Sequence, residues 1–296
     1  MERKKFLNTS EVSKLLNINE KKVYNLAQEG FIPATKVTGK WLFPFDELIS
    51  FLKYDSLKNI KKGITFSLFE SNILIGAGSD DPILPKIFNH FYNFSKTTLF
   101  YSTVGSKNGI EMLKNRIVHF AFSHLFDFEK NDFNIPYLNK IFPDKDYAVI
   151  NLFYREIGIV SNFEISSIKD INKKGLTFIL RQKGSGIRDI TENLFKSKKL
   201  SKNILHFYPE EVTTHLEVAN LVKNNIDFIG ITTKSTAKIF NLQFYKIFDE
   251  RFDLITIKEY FFEKIFQTFY NFINEKLKHD FSPEGYNFKD SGRIIV

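Results

Sequence analysis

Hydrophobic positions along this chain follow two rhythms, and the change between them divides it. Over residues 9–52 they recur at helical spacing in short bursts. Val12, Leu15 and Leu16 share one face of a helix that Thr9 is placed to cap. Asn17-Ile18-Asn19 turns the chain, and Asn19 caps a second helix with Val23, Leu26 and Ala27 on its apolar face. Lys21, Lys22, Tyr24 and Asn25 face away, and Gly30 ends the helix. ATKVTGKWLF predicts a hairpin turning at Thr38-Gly39-Lys40, and a third helix begins near Pro44 with Leu48, Phe51 and Leu52. Two short helices, a tight turn and a basic hairpin describe a helix-turn-helix with a small wing. KYDSLKNIKKGITF, residues 53–66, is polar and Lys-rich and reads as a partly helical linker.

Beyond the linker, short apolar runs alternate with helical ones. Strands are predicted over 72–78, 97–105, 117–124, 147–161, 176–181 and 224–233. Helices are predicted from about Pro82, from about Asn108, over 186–198 and after residue 233. This alternation predicts an α/β fold with mostly parallel sheets.

Length and charge add to that division. A chain of 296 residues has room for two or three domains. Residues 1–62 carry 12 Lys/Arg against 7 Asp/Glu, a net of +5, whereas the remainder nets only +3. A concentrated basic surface suits a polyanion such as DNA, although on charge alone a solvated Lys-rich face is the simpler reading. The absence of cysteine excludes disulfides, thiolate zinc sites and Cys nucleophiles. MERKKFLNTSEV has no apolar signal core, and no stretch approaches the roughly 18 apolar residues of a membrane span, so the expected location is the cytoplasm.

Candidate chemistry gathers at three strand ends. Ser79, Ser106 and Ser185 each follow a predicted strand, sit beside glycine and precede a predicted helix. A helix N-terminus binds anions through its free N–H groups, glycine permits close approach, and serine adds a hydroxyl donor. In LRQKGSGIRD, Arg181 adds a planar fork able to meet two oxygens. Each site alone is commonly a turn with an N-cap, and even three together do not name the ligand. Catalysis lacks its parts. None of the six histidines falls at a metal-binding spacing, no P-loop is present, and no base is placed by sequence to activate Ser185. Anion binding without chemistry is the expectation: not an enzyme, and no protein-ligated metal cation.

Two resemblances extend this reading. The first 50 or so residues resemble the MerR/excisionase-type DNA-binding domains. The residues that carry the likeness are Thr9-Ser10-Glu11-Val12, Leu15-Leu16, Val23-Tyr24, Glu29-Gly30-Phe31-Ile32-Pro33-Ala34 and Gly39-Lys40-Trp41. The resemblance implies that the second helix enters the major groove of double-stranded DNA and that the hairpin grips its backbone. Lys21, Lys22 and Asn25 would face DNA, with Lys36 and Lys40 on phosphates. Tyr24 would either join them or pack under the wing, and Trp41 would be core between the wing and the third helix.

Residues 72–260 resemble the periplasmic-binding-protein-like domain fused to helix-turn-helix regulators, and in turn the molybdate- and tungstate-binding proteins of transport systems. The matching pieces are Gly78-Ser79-Asp80-Asp81-Pro82, Val104-Gly105-Ser106 with Gly109, His124-Leu125-Phe126-Asp127, Asn134-Ile135-Pro136-Tyr137, residues 181–188 and Thr214-His215-Leu216-Glu217-Val218-Ala219. The implied plan is a helix-turn-helix domain over 1–55, a linker over 56–70 and a type 2 two-lobed sensing domain over 71–296. Lobe 1 would take about 71–151 and 245–296, and lobe 2 about 152–244, with crossovers near 151–156 and 235–250. Tungstate or molybdate would sit in the cleft, held by Ser79 and Ser106 from one lobe. Gly184, Ser185 and Thr214 would hold it from the other, with Arg181 in the manner of tungstate-selective binders. Two departures stand out: Lys183 brings a further positive charge, and Ile187 replaces a usual Thr. His124 would either reach the ligand or hold the Asp127 loop. Arg188 would either reach it or pair with Asp189 or Glu192. The aromatic amphipathic stretch 260–281 would pack on the first lobe, the alternative being a dimer contact.

These features together imply a homodimeric one-component transcription regulator. It would sense the oxyanion and control its uptake or its use in cofactors. The alternatives are a binding module or enzyme of molybdenum or tungsten cofactor metabolism, and an excisionase-like recombination factor.

Overall fold

The computed structural model describes residues 5–37, 39–171, 175–197, 199–201, 203 and 205–296. Thr38, expected in the wing turn, lies outside them. The chain forms two compact units, residues 1–64 and 65–296.

The first unit contains β1 (Phe6–Leu7), α1 (Thr9–Leu16), α2 (Glu20–Gln28), β2 (Thr35–Val37) and β3 (Lys40–Pro44). Its strands form an antiparallel sheet in the order β1-β3-β2. Val12, Val23, Ala27, Ile32, Phe43 and Leu48 make its core. Two details differ from the sequence reading. The N-cap of α1 is Asn8, one residue before Thr9, because Asn8 and Glu11 exchange a reciprocal capping box. Leu15 is 45% exposed, so the buried stripe of α1 narrows to Val12 and the half-buried Leu16. Asn19 does cap α2, and Gly30 follows it at φ +74°. Next comes α3 (Phe45–Glu70), a helix of 26 residues that continues through the stretch read as linker. That stretch holds no proline, and its Lys and Leu residues are good helix formers.

The second unit opens with β4 (Ile73–Gly78), α4 (Leu84–Ser95), β5 (Thr98–Thr103), α5 (Ser106–Lys114), β6 (Phe120–Ser123), β7 (Phe126–Asp127), β8 (Asp132–Phe133) and α6 (Ile135–Ile141). It continues with β9 (Ala148–Ser161), β10 (Thr177–Ile179), α7 (Gly186–Lys196), β11 (His206–Phe207), α8 (His215–Asn224), β12 (Phe228–Thr233), α9 (Lys234–Ile239) and β13 (Gln243–Thr256). It ends with α10 (Lys258–Phe261), α11 (Lys264–Glu275), α12 (Leu277–Asp280) and β14 (Tyr286–Asn287). One sheet runs β11-β10-β12-β9-β13-β6-β4-β5, with β14 beside β9.

Its two ends are parallel, as expected of α/β units, but its middle is antiparallel. The cause is β9 and β13, which run side by side through both lobes. At one end β9 pairs with β12, and at the other β13 pairs with β6. Register shifts at Lys246/Phe248 and Phe252/Asp253 interrupt the β13 side between the lobes, where such irregularities let paired strands bend. Only β9 was predicted. The charged stretch Asp249–Asp253 hides β13 from any hydrophobic alternation. Each lobe has its own core, one around Phe120, Phe122, Phe153 and Phe252, the other around Ile159, Phe178 and Ile231. The C-terminal amphipathic stretch is split into α10, α11 and α12, and its Phe266, Phe269, Phe272 and Leu277 complete the first-lobe core.

Candidate functional site

Four chain segments converge where the lobes face each other. In the first lobe, Ser79 follows β4 directly and Ser106 is the first residue of α5. Their hydroxyl oxygens lie 2.5 Å apart. One hydroxyl donates to the other, which leaves one O–H free. Ser106 Oγ also accepts the His124 amide at 3.3 Å. Gly105, the N-cap of α5, supplies no capping side chain, so the first N–H groups of that helix stay available.

The second lobe answers with α7 and α8. Ser185 caps α7 by accepting the Arg188 amide at 3.2 Å, and its own proton remains free to be donated. Gly184 turns the chain into that cap at φ +85° and faces the first lobe. A Cβ placed on Gly105 would lie 3.6 Å from the Gly184 carbonyl. Gly186 begins α7 directly against His124, and any side chain there would fall 2.5 Å from the ring. Thr214 caps α8 by accepting the Glu217 amide at 3.1 Å. Next to it, the His215 amide meets Asp80 Oδ2 of the first lobe at 3.2 Å. Pairwise contacts link the segments that carry these residues: Ser79 to Ser106, Ser106 to the His124 amide, Gly105 to Gly184, and Arg181 to Thr213.

Arg181 is the unusual member. It is 5% exposed. Its Nη2 donates to the Thr213 carbonyl at 2.6 Å, but its buried Nη1 has no partner. Burial pulls its pKa down to about 10, only partly opposed by Asp80. A desolvated cation with an unused donor is costly unless something occupies the space beside it.

The side chains around it sort into roles. His124 does not hold the Asp127 loop, whose carboxylate is satisfied by the Glu129 and Lys130 amides. His124 instead stacks on Phe252 and brings Nδ1 within 2.7 Å of Glu250 Oε1, outside good hydrogen-bond geometry. Burial lowers its pKa, and the nearby Glu250 works against that shift. Arg188 takes the ion-pair option: Nε meets Glu192 at 2.9 Å and Nη1 meets Glu211 at 3.0 Å. Asp189 turns to Lys107 across the lobes at 3.1 Å. Lys183 is exposed, and Ile187 points into the second-lobe core, so neither departure from the expected pattern touches the cleft.

Sequence reading missed the charges behind the cleft. Arg155 on β9 is fully buried, with Nε at 2.6 Å from Glu250 and Nη1 at 2.5 Å from Asp81. Tyr286 donates to the other Asp81 oxygen at 2.7 Å. Burial alone would depress Arg155, but Glu250 and Asp81 hold its pKa above the ordinary value. Glu250 behaves in kind: burial works against its charge, yet Arg155 and His124 hold its pKa below the usual range. A signal for this cluster did exist, since a lone Arg in the apolar run of β9 must find a buried acid. No group of metal-ligating side chains occurs among the described residues, and none of their helices is long and apolar enough to cross a membrane.

In the first unit, Lys21, Lys22, Tyr24 and Asn25 project from the exposed side of α2, and Lys36 and Lys40 are exposed on the wing. Tyr24 packs against the wing and remains open to solvent. It is 42% exposed and also meets Trp41 edge-on at 6.2 Å. Lys36 Nζ lies 5.7 Å over the same indole.

Comparison with known proteins fits this division. The family described as "PBP superfamily domain" matches residues 89–274, well over half of the chain. The family described as "Helix-turn-helix domain" matches residues 6–53. The uncharacterized protein YvgK of Bacillus subtilis (strain 168) is 23% identical over 97% of this chain and 96% of its own. Among solved structures, a putative phosphate ABC transporter substrate-binding protein with bound phosphate, from Clostridium perfringens, superposes with a TM-score of 0.55. It is 13% identical, covering 69% of this chain and 93% of its own. The CcmR regulatory domain of Synechocystis PCC6803 in complex with 2-PG gives 0.52 at 12% identity, covering 68% and 93%. A tungstate ABC transporter structure from Geobacter sulfurreducens gives 0.50 at 14% identity, covering 69% and 94%. Likenesses at these identities establish the fold, a two-lobed type 2 binding-protein domain behind a helix-turn-helix domain.

Proposed function

The chain belongs to the family of PBP superfamily domains, and we propose that it is a transcription regulator that senses a small tetrahedral oxyanion, tungstate or molybdate. Its coarse outline is a DNA-binding domain joined to a small-ligand-binding domain. The finer reading rests on one observation: Arg181 is buried with an unpartnered Nη1 where the N-termini of α5, α7 and α8 meet. Helix N-termini, free serine protons and one guanidinium are what an oxyanion needs, and they can release it again.

Binding would work by closure. Ser79, Ser106 and the first turn of α5 hold the anion from one lobe, and Ser185, Gly184 and Arg181 hold it from the other. Each added bond across the cleft favours the closed state over the open one. The ligand shifts that equilibrium only by its differential affinity for the two. Lys21, Lys22, Tyr24, Asn25, Lys36 and Lys40 would carry the DNA contacts, on a two-fold operator read by a homodimer. The controlled genes would serve uptake of the oxyanion or its use in cofactors, and the protein would act in the cytoplasm.

Operator binding by the full chain, measured with and without tungstate, molybdate and phosphate, tests the proposal. A shift in DNA affinity produced by one of these anions, and absent in Arg181→Met, is the expected result. DNA binding that ignores all three would remove the sensor reading.

A further inference from the structure

The cleft already contains an anion of its own. Asp80 directly follows Ser79, and its Oδ2 accepts the His215 amide at 3.2 Å, at the very start of α8. Thr214 leaves that position open, because its hydroxyl oxygen turns to the Glu217 amide. The Asp80 backbone is anchored separately, its carbonyl accepting Arg155 Nη1 at 3.2 Å. The side chain is thus placed by the hinge cluster and directed across the lobes. It is only half-buried, so leaving the position returns it to water at little cost. Among the charges around Arg181, Asp80 is the strongest acidic influence, ahead of Glu250 and Glu217.

An oxyanion bridging Ser79 and Arg181 would need the same helix end and the same cation. We infer that Asp80 is a built-in competitor for the anion site: its carboxylate caps α8 when the cleft is empty, and an incoming oxyanion must displace it from the His215 amide. This inference rests on the oxyanion reading of the cleft. It makes Asp80 a specificity-determining residue. An anion must outdo a carboxylate at α8, so weakly charged monoanions are turned away and a dianion with several oxygens is favoured. It also gives the empty domain a cross-lobe bond that holds it partly closed.

Two measurements on the full chain test this. Amide exchange at His215, followed by NMR with nitrogen-labelled histidine and no added anion, should be slow in the wild type. In Asp80→Ala it should be about tenfold faster or more, because the amide loses its acceptor. Titration of tungstate, molybdate, phosphate and nitrate into Asp80→Asn, which keeps the shape and drops the charge, should show affinities raised by roughly three- to tenfold, with nitrate gaining most. Unchanged His215 exchange in Asp80→Ala would overturn the inference. So would weaker anion binding in Asp80→Asn, which would make Asp80 a holder of the ligand instead. If no anion binds either protein while His215 exchange still responds, the oxyanion reading fails and the internal cap of α8 stands.

Discussion

Two buried arginines, one at the cleft and one behind it, are built in opposite ways. Arg155 meets Asp81 and Glu250, stacks 4.6 Å over Phe252 and gains basicity from its neighbours. Arg181 has one strong bond, to a backbone carbonyl, plus an orphaned Nη1, and it loses basicity to burial. Arg155 Nη2 makes no hydrogen bond either, but it lies 2.6 Å from a Glu250 oxygen, and a buried charge matched by acids of its own chain is part of the architecture. A buried charge short of a partner marks where something else belongs. Here the first kind lies on the paired strands between the lobes, and the second kind faces the ends of three helices.

The strongest break of this contrast is Arg155→Met. It leaves two buried carboxylates without their cation and should cost about 3–5 kcal/mol of folding stability in chemical denaturation. Arg181→Met should do the reverse: stability unchanged within about 1 kcal/mol or slightly raised, with oxyanion affinity down by about tenfold to a hundredfold in calorimetric titration. Equal effects from the two variants would erase the distinction.

Acid sharpens it. Burial lowers the pKa of His119 to about 4 and also lowers those of His124 and His215. The unfolded chain therefore takes protons first as pH falls, and stability present above about pH 6.5 is lost toward pH 4. His119→Asn should reduce that loss by up to about 3 kcal/mol in denaturation at stepped pH. Bound oxyanion should reduce the share due to His124 and His215, which lie beside it, and leave the share due to His119 alone. Gly186→Ala is smaller. Its new Cβ would press on the His124 ring and resist lobe closure, costing about 1–3 kcal/mol of stability and weakening anion binding. Smallest are single Lys→Ala changes at Lys21, Lys22, Lys36 and Lys40. Each should reduce the salt dependence of DNA binding by about one unit of slope.

Much of the cleft was legible in the sequence because its parts are local. Ser185 caps the helix that follows it, and Gly184 makes the turn before it, within a few residues of Arg181. The same holds for α2, where Asn19 and Gly30 bound the helix and Val23 and Ala27 mark its buried face. The rest depends on pairing at long range. Arg155 meets Glu250 across 95 residues and Asp81 across 74, and nothing in its neighbourhood announces either partner. β13 escaped for the same reason. Glu250, Arg251 and Asp253 look solvated in sequence, and only pairing with β9 and the partners around it let them be buried. The stretch 53–66, read as partly helical, is helical throughout, because Lys-rich sequence without proline propagates a helix readily.

The most direct test is calorimetric titration of tungstate, molybdate, phosphate and sulfate into the wild type and into Arg181→Met. At least one tetrahedral oxyanion is expected to bind the wild type. Binding should be lost or greatly weakened in a variant that still unfolds at the wild-type midpoint. If the variant binds the anion as tightly as the wild type, or if none of the four anions binds the wild type, then the unpartnered guanidinium does not mark an anion site.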